Sequence, residues 1–77
     1  MPFYYIKWSQ KRIRHLEENG VTPNEFAEVI ASTEKETTSR SSGRPAILGY
    51  TRSGRRLFVV FDKLDQSTIE PITAYDV

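Results

Sequence analysis

The chain has no cysteine, one histidine and one tryptophan, and no apolar run near the roughly eighteen residues that a membrane-spanning helix needs. The missing cysteines exclude disulfide stapling, thiolate zinc sites and cysteine nucleophiles, and make a reducing compartment, the cytoplasm, the expected location. With His15 as the sole imidazole and no H-E-x-x-H or D-x-D-x-D-G spacing among the acids, no metal site is expected. A serine triad lacks its G-x-S-x-G elbow, and a phosphate-cradling P-loop is also missing. The opening MPFYYIKW does not join a charged start to a long apolar stretch, so neither a targeting signal nor a membrane segment is expected, and no cofactor is implied.

What remains is 77 residues, 38% hydrophobic with nine aromatics. That is too apolar for a disordered tail and points to a single domain, residues 1–77, near the size where one core barely suffices. A stabilising partner or self-association is therefore expected. The net charge of +1 hides segregation. Residues 1–16 hold Lys7, Lys11, Arg12 and Arg14 without an acid, and residues 37–56 hold Arg40, Arg44, Arg52, Arg55 and Arg56 without an acid. The glutamates crowd residues 17–36 and the aspartates residues 57–77. Such blocks suggest a basic surface for an anion and an acidic surface elsewhere.

Residues 3–7 (FYYIK) favour a short first strand, and Ser9 can cap a helix running to about Asn19, with Gly20 as its left-handed stop. Ile13 and Leu16 point from that helix toward the core beside Trp8. Thr22, Pro23 and Glu25 spell a capping box with proline at the first helical position, and Val21 and Phe26 the matching hydrophobic staple. Phe26, Val29 and Ile30 give this second helix its buried stripe, leaving Glu25 and Glu28 to face water or a partner. From residue 34 the period changes from 3.6 to 2. Glu34–Arg40, Ala46–Arg52, Arg56–Asp62 and Thr68–Tyr75 read as strands, with Arg56–Asp62 central and Pro71 at an edge or beside a bulge. The expected fold is α+β: a short N-terminal strand, two helices, then a three- or four-stranded antiparallel sheet with the helices on one face.

The chemistry left to this chain is cationic. Lys11 and Arg12 lie in the first turn of helix one, where the macrodipole disfavours positive charge by roughly 0.3–1 kcal/mol each. Cations placed at a cost suggest an external anion such as RNA phosphate; against this stands an ordinary solvated face with an Arg14–Glu18 pair. Arg44, Arg52, Arg55 and Arg56 bracket the strands, and adjacent Arg55 and Arg56 cannot share a face. Tyr4, Tyr5, Tyr50 and Tyr75 could stack unpaired bases or simply be half-buried sheet residues. If the anion is RNA, attack of a 2′-hydroxyl on the adjacent phosphate needs proton transfer, for which Lys11, His15 and Tyr75 are candidates, and charge from Arg44, Arg55 or Arg56. Lys11, His15, Arg44, Arg55 and Tyr75 are thus the candidate catalytic residues, and Arg12, Arg52 and Arg56 candidate RNA contacts.

The segments WSQKR, GVTPNEFAEV, R-x-x-x-x-G at Arg44–Gly49, SGRRLFVVF and ITAYD together resemble the small BrnT-type toxins of type II toxin–antitoxin systems, whose fold is like that of RelE ribonucleases. The resemblance spans nearly all of residues 8–76. It implies a metal-independent endoribonuclease neutralised by an antitoxin protein, with Lys11 as the helix-one lysine, Arg44 as the arginine opening the second sheet strand and Arg55 as the one after the hairpin glycine. Three positions depart: Asn19 stands where the family commonly has histidine, His15 where it often has asparagine, and Tyr75 where its last strand has arginine. The chain also stops at Val77, short of the basic C-terminal helix common in relatives. Two readings stay open: a toxin-like ribonuclease, and a non-catalytic module that binds RNA or a protein.

Overall fold

The computed structural model describes residues 5–32, 36–40 and 43–77. Its elements in chain order are β1 (Tyr5–Ile6), α1 (Gln10–Glu18), α2 (Pro23–Ala31), β2 (Glu36–Thr38), β3 (Pro45–Tyr50), β4 (Arg56–Lys63) and β5 (Thr68–Asp76). The expectations for Phe3 and Tyr4 and for Glu34 lie outside the described residues.

Local sequence accounts for both helices. Ser9 caps α1 by accepting from the Arg12 amide at 3.3 Å. The helix closes in a Schellman motif: the Val21 amide returns to the Leu16 carbonyl and the Gly20 amide to the Glu17 carbonyl, each at 2.9 Å, with Gly20 at φ 78°. Leu16 and Val21, the apolar pair that accompanies this motif, are both fully buried, whereas Ile13 is only half-buried. At α2, Thr22 and Glu25 exchange their side chain–amide bonds as the capping box requires.

The five strands form one sheet in the order β1-β5-β4-β3-β2. The α+β class stands, but the sheet is mixed rather than antiparallel, because β1 runs parallel to β5 through Tyr5–Thr68 and Ile6–Ile69. Pro71 explains why that pairing is so short. The Lys7 amide donates to the Ile69 carbonyl, and the next rung of a parallel ladder needs the amide of residue 71, which proline lacks. The register against β4 also slips at this point, so Val60 faces Thr73 while Phe61 faces Pro71.

Strand β4 lies at the sheet centre, and Val59, Val60 and Phe61 are buried on both of its faces. One face, through Ile47, Leu57, Val59, Phe61, Ile69 and Ala74, packs on Leu16, Phe26, Val29 and Ile30 of the helices. Trp8 closes this core edge-on to Phe26, with ring centroids 5.7 Å apart. Both helices therefore cover the same face, and the register gives the other face to Leu48, Phe58 and Tyr75 in one row.

Candidate nucleic-acid interface

Only Leu16 of α1 is fully buried, so the helix presents most of its circumference to solvent. Lys11, Arg14, His15 and Glu18 recur at helical spacing and, with Gln10 and Arg12, line a shallow depression of about 400 Å³. No acid stands in the first turn. Lys7, Lys11, Arg12 and Arg14 have no ion-pair partner among the described residues. The Arg14–Glu18 pair suggested by spacing is replaced by a loose His15–Glu18 approach at 3.9 Å. On the side of α1 toward the sheet, His15 Nε2 and Asn19 Nδ2 converge on Thr73 Oγ1 at 3.3 and 3.2 Å. The proposed proton-transfer residues Lys11 and His15, one turn apart, thus sit beside β5, the strand that also carries Tyr75.

The two arginines expected to complete the site do not reach it as free charges. Arg55 is clamped: its Nε and Nη2 donate to the two carboxylate oxygens of Asp76, and its Nη1 donates to the Gly20 carbonyl at 2.6 Å and to Glu25 at 3.0 Å. These partners tie the end of β5 to the α1–α2 corner, so Glu25, expected to face water or a partner, instead joins an ion-pair cluster within the chain. Glu28 likewise accepts from the Arg52 amide at 3.1 Å. The Asp76 and Glu25 bonds push the Arg55 guanidinium further toward its charged form.

Glu25 is held below its ordinary value of 4.5, first by the Thr22 amide it accepts and then by Arg55. A depressed carboxylate contributes stability that is whole above the unfolded value and is lost as pH falls through the folded one. Glu25→Gln keeps an acceptor for the Thr22 amide but cannot titrate. Its melting temperature should therefore fall less steeply than the wild type's below about pH 4.5. Asp65, lowered by the Ser67 and Thr68 amides, leaves a residual acid limb. Identical acid limbs in a thermal melt series would rule out the Glu25 contribution.

Arg44 pairs with Asp62 at 2.8 Å, as the Ala46–Val60 register dictates for the next positions on that face. Asp62 and Arg56 lie six residues apart on β4, about 20 Å by strand rise, which sets Arg44 and Arg55 at opposite ends of the sheet. Arg52 and Arg56 are exposed, without ion-pair partners among the described residues. Tyr75 packs against Phe58 with ring centroids 5.6 Å apart. Of the five candidate catalytic residues, α1 and β5 bring Lys11, His15 and Tyr75 to neighbouring elements, while Arg44 and Arg55 stand apart in ion pairs. Sequence reasoning missed Thr73, which meets His15 and Asn19, and Phe58, which meets Tyr75. Among the described residues no cluster of acids and histidine is arranged to hold a metal ion, and no helix is long and apolar enough to cross a membrane.

No family model, curated protein or solved structure matches the chain.

Proposed function

We propose that this protein is an RNA-binding module that docks phosphates on the outer face of α1, a toxin-like component whose main task is binding rather than cleavage. One contrast carries the reading. Arg44, Arg55 and Lys63 find acids, in Arg44–Asp62, Arg55–Glu25–Asp76 and Lys63–Glu36, whereas Lys7, Lys11, Arg12 and Arg14, grouped on and just before α1, have none among the described residues; Arg40, Arg52 and Arg56 also lack them but lie on the sheet and its loops, away from this group. Three of these four lie on α1, two of them in its first turn, where the helix dipole makes positive charge costly. An external polyanion offsets that cost and releases counterions when it binds. The cysteine-free composition fits action in the cytoplasm, where RNA is met.

Cleavage is the second reading. The neighbouring Lys11 and His15 favour it, as does the resemblance to BrnT-type toxins, with an antitoxin protein as the implied partner. Against it stand Arg44 and Arg55, which already neutralise carboxylates and lie far from one another. Phosphoryl transfer needs acid, base and charge around a single phosphate.

Incubation of the purified protein with short single-stranded RNA in EDTA separates these outcomes. The expected result is a retarded but intact RNA band at low salt. Fragments that vanish with Lys11→Ala would establish the ribonuclease instead, and an unretarded, intact band would remove RNA as the ligand and favour a protein partner.

A further inference from the structure

The sheet face away from the helices carries a groove that the α1 surface does not explain. Strand pairing sets Leu48, Phe58 and Tyr75 in one row and Tyr50 beside Arg56 in the next, where the Val77 amide also bonds the Arg56 carbonyl at 3.2 Å. The β2–β3 hairpin borders this face. Between the hairpin and β5 lies a groove of about 500 Å³, lined by Thr37, Thr38, Arg40, Phe58, Tyr75 and Val77. Tyr75 is 43% exposed at its wall, a high value for a ring that already rests on another ring.

Resting on the RNA reading, we infer that this groove receives one unpaired nucleobase, stacked on Tyr75 with Phe58 at its edge, with the flanking phosphates met by Arg40 and Arg56. The volume lies within the usual range for small-ligand sites. The exposed Tyr75 ring offers a face for stacking at the groove wall, Phe58 lies against it tilted at 45°, and threonine hydroxyls supply donors and acceptors for a base edge. Charge decides between occupants. None of the described lining side chains is a carboxylate, and neither Arg40 nor Arg56 has an ion-pair partner among the described residues. Asp76, the nearest acid in sequence, alternates to the helix-covered face, where Arg55 holds it. An acidic or aliphatic peptide would leave either the rings or the arginines unused, whereas a nucleotide engages both.

The test compares a short oligouridylate with an abasic ribose-phosphate oligomer of equal length, by fluorescence anisotropy at constant salt. Aromatic NMR signals of Phe58 and Tyr75 report on the groove. Wild type should prefer the oligouridylate. Tyr75→Ala, at an exposed ring whose loss leaves the core intact, should weaken that ligand roughly 5- to 150-fold while leaving the abasic oligomer nearly unaffected. Tyr75→Phe should keep the preference, and Arg40→Gln should weaken both ligands alike. If both oligomers bind equally in wild type, or if Tyr75→Ala leaves the preference intact, the base site is overturned while phosphate binding on α1 survives. If neither oligomer binds at low salt, the RNA reading itself fails and takes the groove assignment with it. Aromatic signals that shift with protein concentration instead of with RNA would assign the groove to a second copy of the chain, also overturning the inference.

Discussion

Phe26→Ala is expected to cost about 3–5 kcal/mol, a loss that among the fully buried side chains only Phe61 matches in size. Phe26 is fully buried at the fourth position of α2, beside Val21 at the staple and edge-on to Trp8. Removing the ring deletes the contact that joins the β1–α1 connection to α2 and leaves a cavity where Leu16 and Val29 also pack. For a chain of 77 residues, total stability at about 0.05–0.15 kcal/mol per residue is on the order of 4–12 kcal/mol, so the loss is a large share of it. Urea unfolding followed by Trp8 fluorescence should show a markedly lower midpoint with an unchanged slope. A loss under about 1 kcal/mol would mean that α1 is anchored in some other way.

The double substitution Lys11→Glu with Arg14→Glu is expected to weaken RNA binding about a hundredfold at low salt, since two phosphate contacts are lost and two repulsions gained. Stability should move the other way or not at all. Both side chains are exposed and without ion-pair partners among the described residues, and an acid in the first turn of α1 suits the helix dipole. An unchanged or raised melting temperature together with lost binding separates a ligand-facing role from a structural one. If the variant instead melts earlier and keeps its affinity, α1 is not the RNA surface.

The features legible in the sequence are those whose causes lie a few residues apart. The capping box, the hydrophobic staple and the Schellman stop at Gly20 each involve residues within five positions, and all appear as their residue types dictate. The continuous apolar run Leu57–Phe61 likewise marked β4 and its central place. The parallel β1–β5 pairing was hidden because its partners stand about sixty residues apart with no connecting turn to announce them. The Arg55 clamp was hidden for the same reason, its partners being 21, 30 and 35 residues away. A signal for it existed all the same. Alternation from the inward-facing Leu57 puts Arg55 on the helix side and Arg56 with Phe58 on the open side. Tyr75 could not be assigned a face by counting, because the register slip near Pro71 shifts the strand relative to its neighbour. The charge blocks were visible, but not which cations would be spent internally: Arg44 and Arg55 were, and those of α1 were not.

The most direct test of the account is the dependence of RNA affinity on salt. If Lys7, Lys11, Arg12 and Arg14 each meet a phosphate, log affinity for single-stranded RNA should fall linearly with log salt with a slope of about −3, at about 0.7 per contact. Anisotropy titrations between about 50 and 200 mM salt measure it. A slope of about −3, or steeper where Arg40 and Arg56 add their contacts, that becomes markedly shallower in the Lys11→Glu, Arg14→Glu variant is the predicted result; a flat dependence in the wild type would contradict the assignment of α1 as a phosphate-binding surface.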